Sequence, residues 1–162
     1  MRHTFREGEF IETIEGLIFE VKGLVHPPNR VIAYLRYIPS SKGQRMRNGE
    51  KYLKIYSLKE RQSFLRDRYP KYLFYDPHSR KVLQGVPLKD IKRVYIPCEK
   101  TREILNKTLR EKIEEIAVKF ICVVADESGL KEGDLGITGS LLLGLGSETS
   151  DIDIVVYGEE RG

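Results

Sequence analysis

The stretch GITGSLLLGLGSETSDIDIVVYG, residues Gly136 to Gly158, decides how the chain is read. Two carboxylates, Asp151 and Asp153, stand one residue apart at the mouth of an apolar run, ten residues after a Gly139-Ser140 pair. On a strand, side chains alternate faces with period two. Asp151, Asp153, Val155 and Tyr157 would then share one face, and Ile152, Ile154 and Val156 the other. Two acids pointing the same way repel and take up protons unless a cation neutralises them. A hard divalent ion such as magnesium (Mg²⁺), held by one or two carboxylates with phosphate and water oxygens, suits that geometry. The Gly-Ser turn supplies the other half. If a helix starts at Ser140, its free N–H groups face an anion, glycine permits close backbone approach and the hydroxyl adds a donor. Phosphate on one side and metal on the other make a nucleotide site.

Outward from this stretch, DLGIT reads as a strand, SLLLGL as a short helix, GSETS as a loop and DIDIVVYG as a second strand. Upstream, Leu105, Leu109, Ile113, Ile116, Phe120 and Val123 recur at helical spacing, and Gly129 supplies a stop. A helix of about 30 residues would be about 45 Å long, so it either breaks or packs against both halves of the chain. We place a domain boundary near residue 98, giving a β-rich basic domain over 1–97 and a small α/β unit over 98–162; the fold class is α+β. In the first domain, EFIETIEGLIFEVKGLV holds two β-rich runs around Glu15-Gly16. NRVIAYLRYIP and EKYLKIYS pair across a loop closing on Asn48-Gly49. Ser57 caps a helix that ends before Pro70, and KYLFYDPHSRKVLQGVPL is a strand pair turning at Asp76-Pro77-His78-Ser79.

Composition excludes several classes. No run approaches the roughly 18 apolar residues of a membrane span, and the N-terminus lacks a secretory core, so the chain reads as cytoplasmic. Cys98 and Cys122 suggest neither zinc nor a disulfide; Cys122 reads as core and Cys98 as a bystander. Only three Asn and three Gln beside abundant Lys, Arg and Glu lean toward a thermophilic source. Residues 28–102 carry 19 Lys and Arg against 6 Asp and Glu, whereas residues 126–162 carry 2 against 9. A basic middle points to a polyanionic partner and an acidic end to cations. Arg30, Arg36, Arg45, Arg47, Lys51 and Lys54, interleaved with Tyr34, Tyr37, Tyr52 and Tyr56, form a mixture that grips phosphates and stacks bases. The same residues also suit strand packing and a charged surface.

Gly139-Ser140, ten residues, then Asp151-Ile152-Asp153 in an apolar strand resembles the signature of the nucleotidyltransferase superfamily related to DNA polymerase beta. The resemblance covers about residues 101–158. The whole arrangement is similar to a group of uncharacterised archaeal nucleotidyltransferase-like proteins. It implies that Gly139 and Ser140 hold the terminal phosphates of an NTP and that Asp151 and Asp153 ligate two Mg²⁺ ions. One ion would activate the incoming hydroxyl and the other steady the leaving pyrophosphate. Two departures stand out. Many small members place an arginine three residues after the serine, where this chain has Leu143. The third carboxylate of the family lies on a later strand, and Glu159 and Glu160 are too near Asp153 to belong to one. Either the chain is a fragment, or the site is incomplete, or a second subunit of a homo-oligomer completes it.

Other motifs fit poorly: a P-loop needs a lysine before its Ser/Thr, and no histidine lies near Ser140 for a hydrolase triad. Three readings follow. The first is a metal-dependent nucleotidyltransferase passing a nucleoside monophosphate from an NTP to RNA or a protein. The second is a non-catalytic RNA-binding or partner-binding protein on a degenerate scaffold. The third is a module of toxin-antitoxin type.

Overall fold

Val31, Ala33, Leu35 and Tyr37 alternate with less buried residues along the strand Arg30–Pro39, so one face of it belongs to a core. The computed structural model describes residues 2–158 and organises an N-terminal unit, Met1–Val94, around this strand. In chain order the strands are β1 (Phe10–Thr13), β2 (Ile18–Val21), β3 (Arg30–Pro39), β4 (Arg45–Arg47), β5 (Glu50–Lys54), β6 (Leu73–Asp76), β7 (Lys81–Pro87) and β8 (Ile91–Tyr95). Helix α1 (Leu58–Arg68) lies between β5 and β6. The strands form a curled antiparallel sheet in the order β4-β5-β3-β2-β1-β8. β3 is long enough to hold two partners on one side. Its Arg30–Ile32 segment pairs with β7, which pairs in turn with β6, and Tyr37–Pro39 pairs with β5. A register shift in β2 between Ile18 and Phe19 accompanies the bend. Ile11, Leu17, Phe19, Leu35, Val86 and Tyr72 fill the core, with Leu65 contributed by α1.

The turns follow their sequence chemistry. Asn48 and Gly49 both take positive φ, 51° and 79°, the conformation that joins β4 to β5 in a tight hairpin. Asp76 accepts the N–H of Ser79 at 2.9 Å between β6 and β7. Ser57 Oγ accepts the Glu60 N–H at 3.0 Å and starts α1.

The C-terminal unit, Tyr95–Gly162, contains α2 (Pro97–Leu105), α3 (Lys112–Ser128), β9 (Leu135–Thr138), α4 (Gly139–Leu142) and β10 (Asp153–Val156). The long helical pattern is two helices, and the break is built from polar side chains. Arg110 donates to the Ile104 and Leu105 carbonyls at 2.9 and 3.0 Å, satisfying the end of α2. Glu111 and Glu114 form a capping box that starts α3. Gly129 ends α3 in the left-handed conformation, φ 70°. The buried side of α3 is Ile113, Ala117 and Ile121, packed with Ile104, Leu135, Ile137 and Leu141. The stripe expected from the sequence is therefore out of phase. Ile116, Phe120 and Val123 are 44%, 45% and 57% exposed, and Leu109 lies outside either helix, so it sets no helical phase. Cys122 is half-buried, with Sγ 3.9 Å from Glu132, and is not a core residue. Among the described residues no helix is long and apolar enough to cross a membrane.

Glu114 is buried at the start of α3 and accepts Lys107 Nζ at 2.6 Å. Burial alone would raise its pKa, but hydrogen bonds from Lys107 and the Glu111 N–H outweigh it and hold the carboxyl below its ordinary value. Lys107 is raised in turn, mainly by its hydrogen bond to Glu114. A depressed carboxylate contributes stability above its unfolded pKa, about 4.3, and loses it as pH falls through the folded value. Glu114→Gln is expected to cost roughly 1.5–3 kcal/mol at pH 7. Thermal unfolding of both proteins between pH 7 and pH 3 should show the Tm gap closing as the pH drops through that range. A gap that stays constant would mean that the ion pair does not contribute.

Candidate active site

β10 lies antiparallel beside β9, with Asp153 opposite Thr138, Ile154 opposite Ile137, Val155 opposite Gly136 and Val156 opposite Leu135. Immediately after Thr138 the chain turns at Gly139, whose φ is 69°. The register carries the Asp153 side chain onto that turn. A Cβ at residue 139 would land on Asp153 Oδ2, and would lie 3.2 Å from Cγ and 3.3 Å from Cβ. Glycine is thus required by the backbone conformation, while the carboxylate tip against it belongs to an exposed side chain that can swing aside.

The turn is anchored from below. α4 ends in a paired motif in which the Gly144 N–H reaches the Leu141 carbonyl at 3.2 Å and the Leu145 N–H reaches Ser140 at 2.9 Å, with Gly144 at φ 70°. Leu141, Leu142, Leu143 and Leu145 are all buried. Leu143, where the resemblance leads one to expect an arginine, is 1% exposed and belongs to the core. The helix begins at Gly139, one residue earlier than expected, and Ser140 sits half-buried in its first turn.

The loop before β10 is a knot of hydroxyls. Ser147 N–H donates to Ser150 Oγ at 2.7 Å, Ser150 N–H donates to the Ser147 carbonyl at 3.0 Å, and Thr149 Oγ1 lies 3.2 Å from Ser147 Oγ. Asp151 follows this knot directly and precedes the strand, because β10 begins at Asp153. The strand alternation read from the sequence therefore starts two residues later than expected and does not fix the direction of Asp151. Both acids are exposed. Among the described residues no three His, Cys, Asp or Glu side chains gather where they could hold a metal ion. Glu159 and Glu160 lie outside the described residues.

One positioning residue carried no signal strong enough to be read from the sequence. Thr101 of α2 is 2% exposed; its Oγ1 accepts the Ile137 N–H of β9 at 3.0 Å and donates to the Pro97 carbonyl at 3.2 Å. Gly136 permits the close packing this needs, since a Cβ there would sit 2.5 Å from Pro97 Cβ and 2.9 Å from Val155 Cγ2. The glycine inside DLGIT was the available clue, because glycine in a strand marks close approach.

In the N-terminal unit, Arg45, Arg47, Lys51 and Lys54 lie on the β4–β5 hairpin. Arg47 is engaged with Glu12 at 3.3 Å and with the Tyr52 hydroxyl at 3.1 Å. Lys54 Nζ lies 5.2 Å from the ring of Tyr56, which is exposed. Arg36 faces Glu20 at 3.5 Å. Arg30 is apart from the others, six residues along β3 from Arg36 and so about 20 Å away.

Residues 117–162 match the nucleotidyltransferase domain family. The chain is also similar to an uncharacterised protein of the archaeon Methanocaldococcus jannaschii, 35% identical over 160 residues, covering 94% of this chain and 47% of the relative. The chain thus spans about half the length of the relative it matches. No solved structure matches the chain.

The Gly139 contact is testable against a control in the same unit. Gly129 has the same left-handed φ but nothing within 4 Å of an added Cβ. Gly129→Ala is expected to cost about 1–2 kcal/mol from backbone strain alone. Gly139→Ala should cost about as much by chemical denaturation, because the exposed Asp153 carboxylate can swing aside; a clearly larger loss would mean that the carboxylate is held against residue 139.

Proposed function

We propose, from the match of residues 117–162 to the nucleotidyltransferase domain family, that the chain moves a nucleoside monophosphate from an NTP to an acceptor hydroxyl, with Mg²⁺ held by Asp151 and Asp153. The observation that supports this most directly is the contact of Asp153 with Gly139, which joins the acidic and the Gly-Ser parts of the motif in one place. The donor set fits the metal: two exposed carboxylates offer only hard oxygens and leave room for phosphate and water. Bound there, Mg²⁺ supplies neutralisation of phosphate charge and a more acidic acceptor oxygen. The protein's own part is positioning. Ser140 offers its hydroxyl to a terminal phosphate, Gly139 keeps the backbone open beside Asp153, and the buried leucines of 141–145 hold the turn rigid.

For the acceptor we favour RNA. The β4–β5 hairpin presents Arg45, Lys51 and Lys54 beside the exposed Tyr56, a combination that binds phosphates and stacks a base. A second reading, binding without transfer, draws support from the burial of Leu143, which removes that position from any phosphate contact.

Calorimetric titration with an NTP in Mg²⁺ and in EDTA separates these readings. Metal-dependent binding in the wild type, at least tenfold weaker in Asp151→Asn/Asp153→Asn, is expected, together with transfer of α-labelled nucleotide to an RNA oligonucleotide. Metal-dependent binding without transfer to RNA or protein favours the second reading. No NTP binding by the wild-type chain would sink the first.

A further inference from the structure

At the end of β3 remote from the hairpin, the N-terminal unit encloses an open cavity of about 580 Å³, within the range of small-ligand sites. Arg30, Lys71, Lys89 and Asp90 line it, with Leu73 and Leu88 as its apolar wall. Its frame is fixed by backbone pairing: Arg30 stands opposite Pro87 in the β3–β7 register, and the Leu88 N–H donates to the Asn29 carbonyl at 3.0 Å. The Asp90 carbonyl accepts the Ile14 N–H at 3.0 Å, tying the far side to the end of β1.

Within this frame the polar groups are mismatched in a specific way. Asp90 is 5% exposed. Its Oδ1 receives Lys71 Nζ at 3.3 Å, while Oδ2 is buried with no hydrogen-bond partner among the described residues. A buried carboxylate oxygen without a donor is costly enough to require an explanation. Lys71 is already committed, pairing with Glu15 at 2.5 Å as well as with Asp90. Arg30 is held over the Phe74 ring at 4.7 Å and donates to the Lys71 carbonyl at 3.4 Å, but it has no acidic partner among the described residues, and neither has Lys89. The cavity therefore offers two cations without an acidic partner among the described residues and an apolar wall, while Asp90 Oδ2 lies buried out of a ligand's reach.

We propose that this cavity binds a small phosphomonoester carrying an apolar or aromatic group, a nucleoside monophosphate being the ligand that matches it. A phosphomonoester carries nearly two negative charges at neutral pH, which matches Arg30 and Lys89 together. A monocarboxylate would leave one of them unmatched. The base or sugar covers Leu73 and Leu88. The same chemistry is offered by a free nucleotide and by the 5′-phosphorylated end of an oligonucleotide. All the lining residues belong to the N-terminal unit, so the site does not depend on the transferase reading.

The test uses the full chain carrying Asp151→Asn/Asp153→Asn, in EDTA, which removes the metal-dependent nucleotide site. Calorimetry would compare AMP, adenosine, inorganic phosphate and a trinucleotide with and without a 5′-phosphate. AMP is expected to bind, with adenosine and inorganic phosphate each roughly tenfold weaker or more. Arg30→Gln and Lys89→Gln should each weaken AMP by a similar factor. Asp90→Asn can destabilise the fold through Lys71, so the exposed Lys89 is the deciding position, with unfolding temperature checked alongside. A phosphorylated trinucleotide that binds as AMP does assigns the site to a polynucleotide end; one that does not assigns it to a free nucleotide. AMP binding no tighter than that of phosphate, or indifferent to both basic substitutions, would overturn the proposal.

Discussion

A carboxylate lying directly against a backbone that has no side chain is the constraint on which the C-terminal unit turns. Asp153 lies against residue 139 because glycine has no side chain there, and it reaches that place because β10 pairs with β9 in a register that sets it opposite Thr138. That register in turn needs β9 held still. Thr101 takes the Ile137 N–H, Gly136 lets α2 approach, and Ile137 and Leu135 are fully buried against α3. Much of the unit can therefore be read as support for one side chain at the surface. The arrangement is economical in ordering terms, since a rigid strand end and a capped turn leave little to be fixed when a ligand arrives.

The parts of the fold that were legible in the sequence are those where a residue type has one dominant physical role. Asn48-Gly49 can hardly be anything but a tight hairpin turn, Ser57 is a good helix cap, and alternating apolar residues in Arg30–Pro39 make a half-buried strand. The parts that were not legible depend on which of two acceptable solutions tertiary packing selects. α3 has enough apolar residues to bury either of two faces, and the choice of Ile113, Ala117 and Ile121 is made by Ile104 and by β9, which lie elsewhere in the chain. Its separation from α2 depends on Arg110 folding back onto two carbonyls, an arrangement no helical periodicity encodes. The motif at 139–153 was legible as a spacing, and the contact that gives the spacing its meaning came only with the strand register.

Charge shows the same division between composition and placement. The basic excess of the N-terminal unit suggests a continuous surface for a polyanion, but part of it is used internally. Lys71 lies between Glu15 and Asp90, and its pKa is driven up chiefly by the hydrogen bond to Glu15. Burial would raise Glu15, yet hydrogen bonds from Lys71 and Tyr72 bring it below its ordinary value. Burial and the Glu15 hydrogen bond push the Tyr72 hydroxyl well up, so it remains a donor across the physiological range. Arg47 and Arg36 are likewise turned toward Glu12 and Glu20.

What remains after these pairings is more informative than the net charge. A formal count of +4 for the chain says that polyanions are attracted in general. Among the described residues Arg30 and Lys89, at one end of β3, have no acidic partner, and the basic hairpin near Tyr56 lies at the other end. The two places ask for different ligands, because an apolar wall accompanies the first, while an exposed ring accompanies the second. A cavity with an apolar wall discriminates, since a bare phosphate leaves Leu73 and Leu88 uncovered, whereas a charged hairpin tolerates any phosphate chain. Selectivity in the N-terminal unit is therefore expected to reside in the apolar wall beside Arg30 and Lys89, and not in the basic charge that dominates its composition.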